Sequence, residues 1–250
     1  MMRSSRFFWG DRVMGDLLDV EALESGYGLI QVLWGSSLSV ACNQSVVLLG
    51  VNGAGKTTLL KTIAGLLDAR KGTITFDGND ITRAKPNVRI ASGIGYMSEL
   101  GIFPNLTIEE NLQLGGYFRS EKENRIRADQ MYDYFPDLRE YRKKMGGSLS
   151  GGQRKMLGVA KTLMAHPKLV IMDEPSSGLS PKFVKKVVEV LKLLHEQEKV
   201  SMLIAEQNVS FIDFAQKIYI LDKGRVTFDG DVEELKQNDT IRETYFGIAH

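Results

Sequence analysis

The chain has 250 residues, 43% of them apolar and 25% charged, with a net charge of +1. That is ample for a sizeable core, and it gives no charge excess that would favour a nucleic-acid or acidic-substrate partner. The single cysteine, Cys42, excludes an internal disulfide and a multi-cysteine metal site, which fits a reducing compartment.

In chain order, the N-terminus starts basic and turns aromatic at Phe7, Phe8 and Trp9, without the continuous apolar core of a signal peptide. Residues 1–16 are read as a disordered extension; a weak membrane-surface contact through the three aromatics is the sharper alternative. No apolar run approaches the roughly 18–20 residues that cross a bilayer. Residues 17–23, 30–33 and 38–40 read as strands of an antiparallel edge sheet, with a glycine turn at Gly26-Tyr27-Gly28. The Tyr27 ring is placed to stack on a nucleotide base, although a tyrosine in a turn needs no ligand to explain it.

Ser45–Leu49 is a short apolar run that reads as a buried strand, and Thr57–Ala64 reads as a helix. Between them stand Gly50, Val51, Asn52, Gly53, Ala54, Gly55, Lys56, Thr57 and Thr58, in the pattern G-x-x-x-x-G-K-T. This is the phosphate-binding loop. Gly53 and Gly55 let the backbone N–H groups wrap a phosphate, Lys56 adds a mobile positive charge, and the Thr57 hydroxyl is placed to ligate Mg²⁺.

Downstream, 71–78 reads as an alternating strand closed by an Asp-Gly turn, and 94–97 as another short strand. Thr107 and Glu110 have capping-box spacing at a helix start. Residues 117–145 carry charges of both signs and read as helical, so the whole stretch of about 100–165 is expected to be a helical subdomain inserted into an α/β core. Leu149-Ser150-Gly151-Gly152-Gln153 reads as a second glycine-rich loop, opening a helix from Arg154 to about Ala165. A buried strand at 169–172 ends in Asp173-Glu174, and Pro181 starts an amphipathic helix. A strand at 200–205 leads into Glu206-Gln207-Asn208. A helix near 209–215, a strand at 217–221, a hairpin at 224–230 and a polar helix from about Val232 complete the chain. Strands alternating with helices predict an α/β fold with a mainly parallel sheet.

Asp173 and Glu174 supply two carboxylates with separable work. Asp173 can hold Mg²⁺ through a water, and Glu174 can orient or deprotonate an attacking water. The Ser150–Gln153 glycines form a second anion site at a helix N-terminus. One nucleotide does not easily require two such loops from one chain, so this loop is expected to cap a nucleotide held by another copy.

With the phosphate loop, LSGGQ and LVIMDEPSSGLS in place, the chain resembles the ATP-binding cassette ATPases from about Leu17 onward. The resemblance implies a phosphate-loop NTPase core with an N-terminal antiparallel β-subdomain and an inserted α-helical subdomain, a single cassette domain over 17–247. It implies ATP and Mg²⁺ as cofactors and a head-to-tail dimer holding two ATPs between the phosphate loop of one subunit and LSGGQ of the other. Tyr27 then matches the family's adenine-stacking aromatic, and Ser177–Ser180 the loop that crosses the interface. The segments 27–33, 103–112 and Glu206-Gln207-Asn208 resemble the second ATPase subunit of branched-chain amino-acid importers; urea and short-amide importer ATPases read similarly.

Two positions depart from the general pattern: Glu99 stands where most members carry a glutamine near Mg²⁺ and the attacking water, and Gln207 where most carry a histidine at the γ-phosphate. Glu174 is therefore expected to activate the water and Gln207 to sense the phosphate. The resemblance implies partners: a second copy or a second cassette ATPase, integral-membrane permease subunits and, indirectly, a substrate-binding protein. It implies a place at the cytoplasmic side of the membrane. The segment Glu99–Tyr117 resembles the lining of a groove for a permease helix, though Ile102, Phe103, Leu106 and Leu112 read equally well as core. A soluble cassette protein acting on nucleic acid or ribosomes usually has two cassettes or long coiled coils, and neither is present. A GTPase would need an N-K-x-D motif, which is absent.

Overall fold

Wholly apolar runs of four residues build the centre of the molecule, because a strand covered on both faces has no solvent side to mark with polar residues. A computed structural model describes residues 16–237, so residues 1–15 of the expected extension and residues 238–247 of the expected domain lie outside the described residues. The strands are β1 (Leu18–Tyr27), β2 (Ile30–Val40), β3 (Ser45–Leu49), β4 (Lys71–Phe76), β5 (Asn79–Asp80), β6 (Ile94–Met97), β7 (Leu169–Asp173), β8 (Ser201–Glu206), β9 (Lys217–Asp222) and β10 (Arg225–Gly230). The helices are α1 (Lys56–Ile63), α2 (Pro86–Ser92), α3 (Ile108–Gly115), α4 (Glu121–Tyr134), α5 (Pro136–Glu140), α6 (Gly151–Leu163), α7 (Pro181–Glu198) and α8 (Val232–Gln237).

The main sheet runs in the order β10-β9-β3-β8-β7-β6. Its strands are parallel except β10, which folds back on β9. Alternation along each strand sorts residues between two cores. Val47, Leu49, Val170, Met172, Met202 and Ile204 face the core formed with α6 and α7. Val46, Leu48, Leu169, Ile171, Leu203 and Ala205 face the other, formed with α1 and the second sheet. That second sheet, β2-β1-β4-β5, is antiparallel as expected.

Three sequence expectations change. Residues 30–33 and 38–40 are not two strands but parts of one, β2. Gly35 (φ 78) is an extra residue at a register shift, where Leu23 pairs Ser36 but Glu24 pairs Trp34, so it bulges the strand instead of ending it. The turn falls at Gly28-Leu29, so Tyr27 is the last residue of β1, paired with Ile30. The LSGGQ glycines lie not in a loop before the helix but in the first turn of α6, because Ser150 and Gln153 form a capping box around them. The Thr107–Glu110 capping box forms on α3 as its spacing predicts.

Helices α3 to α6 lie between β6 and β7, which are neighbours in the sheet. Buried Arg127 of α4 fastens this helical excursion to the rest. Its guanidinium donates to the Leu163 carbonyl of α6 and forms a two-pronged pair with Glu198 at the end of α7. Removing one partner of a largely buried, forked pair leaves the other charge uncompensated. Arg127→Ala is expected to lower stability by about 3 kcal/mol, read as a fall in the urea midpoint at unchanged slope.

Candidate nucleotide site

Three parallel strands, β3, β8 and β7, lie side by side, so the segments leaving their carboxyl ends meet. These are the Gly50–Gly55 loop, Gln207-Asn208, and Glu174. Gly53 and Gly55 take φ of 79° and 109°, a region closed to most side chains, and Gly55 is the N-cap of α1 without a side-chain cap. The first-turn amides of Lys56, Thr57 and Thr58 therefore have no helical carbonyl to serve and point with the helix dipole toward an incoming anion. Lys56 is 4% exposed. Its ammonium donates to the Gly50 carbonyl at 2.8 Å and the Val51 carbonyl at 3.2 Å, and stands 3.3 Å from the Glu174 carboxylate.

Thr57 and Asp173 come together as expected, the hydroxyl donating to the carboxylate at 3.0 Å. Asp173 is buried, and burial raises its pKa. Glu174 sits at φ 48, an uncommon conformation for a residue with a long side chain. Its N–H donates to the Ala205 carbonyl at 3.0 Å, which holds the turn. Its carboxylate accepts from the Gln207 amide at 2.9 Å, and the same amide donates to Asn52 at 2.8 Å. Gln207 thus bridges the phosphate loop and Glu174.

Glu99 is placed differently. Its carboxylate accepts from the Ser177 hydroxyl at 3.2 Å, toward the Ser177–Ser180 loop. Among the described residues, no group of three or more His, Cys, Asp or Glu side chains is arranged to hold a metal ion. Ser150, Gly151 and Gly152 begin α6, where the Ser150 hydroxyl accepts the Gln153 N–H. A Cβ on Gly152 would meet the Phe183 ring at 2.3 Å, so that glycine is demanded by helix packing. Gly151 is open, its nearest neighbour being Leu179 at 3.7 Å. The cleft beside Gly151 is lined by Glu99, Leu100, Arg154, Lys155, Ser177 and Gly178 among others, and by no residue of the Gly50–Thr58 loop. Tyr27 is 43% exposed at the end of β1.

Two residues enter the site that the sequence reading did not single out. Lys155 of α6 is buried and donates to the backbone carbonyls of Glu99 at 2.8 Å and Glu174 at 2.9 Å. Burial lowers its pKa, opposed by the surrounding acids Glu99, Glu206, Glu174 and Asp173. It lies two residues beyond Gln153, on the same helix face as Gly151 by i, i+4 spacing. Tyr96 of β6 has a buried hydroxyl with no hydrogen-bond partner; burial first, and then the charge of nearby Asp173, pushes its pKa up.

The family described as ABC transporter matches residues 33–177. A probable branched-chain amino acid transport ATP-binding protein, LivF, of Archaeoglobus fulgidus is 35% identical over 93% of this chain and 100% of its own length. The high-affinity branched-chain amino acid transport ATP-binding protein BraG of Pseudomonas aeruginosa is 33% identical over 92% of this chain and 100% of its own. The lipopolysaccharide export system ATP-binding protein LptB of Haemophilus influenzae is also 33% identical, over 92% of this chain and 97% of its own. Among solved structures, the ADP conformation of MJ1267, an ATP-binding cassette of an ABC transporter, superposes with a TM-score of 0.81 at 25% identity, covering 94% of this chain and 100% of that one. The dimeric, post-hydrolysis cassette MJ0796 bound to ADP and Pi shares the fold with a TM-score of 0.78 at 23% identity, over 86% of this chain and 98% of that one.

Because Asp173 is harder to ionise folded than unfolded, its charge opposes folding once the pH is above the range in which it titrates, and the opposition vanishes when both states are protonated. Asp173→Asn keeps an acceptor for Thr57 and removes the buried charge. The variant is expected to melt above the wild type at neutral pH, with the gap closing as the pH falls through the carboxylate range; thermal melts at several pH values measure it.

Proposed function

The chain belongs to the ABC transporter family of ATP-binding cassette ATPases, it binds and hydrolyses ATP, and from that premise we propose that it powers a branched-chain amino-acid importer through separate membrane subunits. The cargo reading is supported by the two amino-acid transport relatives and by the wording of residues 27–33, 103–112 and 206–208. The matching lipopolysaccharide export protein makes export the reading to test against it. In this reading the cassette domain runs over 17–247, with 100–165 as its helical subdomain.

The ATP phosphates would lie on the first-turn amides of α1 with Lys56 alongside, and the adenine against Tyr27, with Gly50, Asn52, Gly53, Ala54, Gly55 and Thr58 completing the cradle. The Thr57 hydroxyl and Asp173 carboxylate fit Mg²⁺: both are hard oxygen donors, and Mg²⁺ takes few protein ligands beside substrate phosphates. When bound, Mg²⁺ supplies charge neutralisation at the β- and γ-phosphates. Glu99, whose carboxylate accepts from the Ser177 hydroxyl, would be a further oxygen donor beside that pair. Glu174 is the general base for the attacking water, and Gln207 holds its carboxylate in place while sensing the γ-phosphate.

One observation carries the two-copy site: α6 presents the open Gly151 at a cleft to which the phosphate loop contributes nothing. Ser150, Gly151, Gly152 and Gln153 would close over the nucleotide of a second cassette, a copy of this chain or a related ATPase. The permease subunits would dock on the exposed apolar residues Leu100, Phe103, Tyr117 and Phe118, while Leu112 belongs to the core and half-buried Ile102 packs against it. Docked there, the chain works on the cytoplasmic side of the membrane, and a substrate-binding protein delivers cargo on the other. No helix among the described residues is long and apolar enough to cross the membrane itself.

Glu174→Gln is expected to cut steady-state ATP turnover by about a hundredfold or more while ATP binding stays near wild type, with Gln207→Ala the milder lesion. If Gln207→Ala abolishes turnover and Glu174→Gln leaves it intact, the assignment of the base is wrong. For the cargo, cells lacking this chain should lose uptake of labelled leucine, isoleucine and valine but not of an unrelated solute; undiminished uptake would remove the cargo reading and leave the ATPase standing.

A further inference from the structure

Glu206, the last residue of β8, has no part in the chemistry above, yet its carboxylate is the best-connected acid in the site. The residue is 3% exposed. One oxygen accepts the Ser176 N–H at 2.8 Å; the other accepts the Gln207 N–H at 3.1 Å and, more weakly, the Asn208 N–H at 3.4 Å. The two oxygens therefore serve two different loops. Ser176 lies in Glu174–Ser180, which starts at the φ 48 of Glu174 and includes the Ser177 hydroxyl that reaches Glu99. Gln207 carries the amide that bridges Asn52 and Glu174.

A buried carboxylate is costly unless its lone pairs are filled, and here N–H donors fill both oxygens. Glutamine cannot replace it in kind. An amide accepts at one end only, and its NH₂ would face donors at the other. The arrangement thus needs an acid at this position for a reason that volume and polarity alone do not supply.

We propose that Glu206 is a positioning residue that ties the Glu174–Ser180 loop to the Gln207-Asn208 loop, so that the segment crossing to the second cassette and the segment sensing the γ-phosphate shift as one unit. The proposal rests on the reading of those two loops given above. Its consequence is that the backbone at Gln207 is coupled to Ser176 through the Glu206 side chain, alongside the direct contact of the Gln207 amide with Glu174.

Glu206→Gln is the isosteric test, with three readouts on the full chain: steady-state ATPase, ATP affinity, and amide hydrogen exchange resolved to peptides. The expected result is faster exchange in both 174–180 and 206–210, a fall in kcat of about tenfold from the unsatisfied N–H groups, and an ATP Kd within about twofold of wild type. A residue that merely packed would leave kcat unmoved in this isostere. Unchanged exchange, or exchange altered in one segment only, overturns the tie between the loops. Altered exchange in both with wild-type kcat overturns its role in turnover, while a normal loss of activity in Glu174→Gln would show that the wider reading of the site survives. The wild-type chain gives a measurement that does not depend on the variant folding: with Mg-ATP added, both segments should gain protection at the same nucleotide concentration. Protection of one without the other would contradict the proposal.

Discussion

Two buried lysines hold together a site that would otherwise repel itself. Asp173, Glu174 and Glu206 sit at the carboxyl ends of adjacent parallel strands, and Glu99 joins them from the end of β6. Lys56 reaches in from α1 and pairs with Glu174. Lys155 reaches in from α6 and grips the backbone of Glu99 and Glu174. Four acids within one mouth demand compensation in a low-dielectric setting, and the two cations come from helices on opposite faces of the sheet. The site therefore depends on both faces being packed: the one that seats α1 and the one that seats α6.

That dependence explains why the chemistry sits where it does. In a parallel sheet every strand ends at the same edge as its neighbours, and a helix begins beside that edge. Placing β3 between β9 and β8, with β7 next, brings the phosphate loop, the acid pair and the Gln207 loop within hydrogen-bond reach of one another. The same geometry puts the φ 48 turn at Glu174, where the chain must leave β7 sharply while its N–H still bonds to β8. The α6 terminus stands apart from this meeting: Gly152 packs on Phe183 of α7, and Gly151 lines a cleft to which the phosphate loop contributes no residue.

Most of the fold was legible because it is carried by apolar period and by caps. Buried strands such as β3 and β7 are built on uninterrupted apolar runs, Val46–Leu49 and Leu169–Met172, and the Thr107–Glu110 box marks α3 directly. What escaped was carried by single side chains acting over distance. Helix α2 has no apolar stripe, since its anchor is Arg89, which is 2% exposed and caps α1 by donating to the carbonyls of Thr62 and Ile63. Gly35 looked like a break because a bulge and a turn use the same residue. The start of α6 was misplaced although Ser150 and Gln153 spell a capping box; two glycines hid it. In the site, Gly53, Lys56, Thr57, Asp173 and Glu174 announce themselves by motif. Lys155 and Glu206 work through backbone atoms of other loops, and a sequence holds no mark of which carbonyl or N–H a side chain will meet.

The central claim is that one hydrolytic site is made from two copies, the phosphate loop of one and the Gly151 end of α6 from the other. Mixing two inactive variants, Lys56→Ala and Gly151→Asp, tests it most directly. A mixed dimer would hold one site with an intact phosphate loop facing an intact α6 terminus, so the mixture should hydrolyse ATP well above the sum of the two variants measured alone. A mixture no more active than that sum, with mixed dimers shown to form, would contradict it.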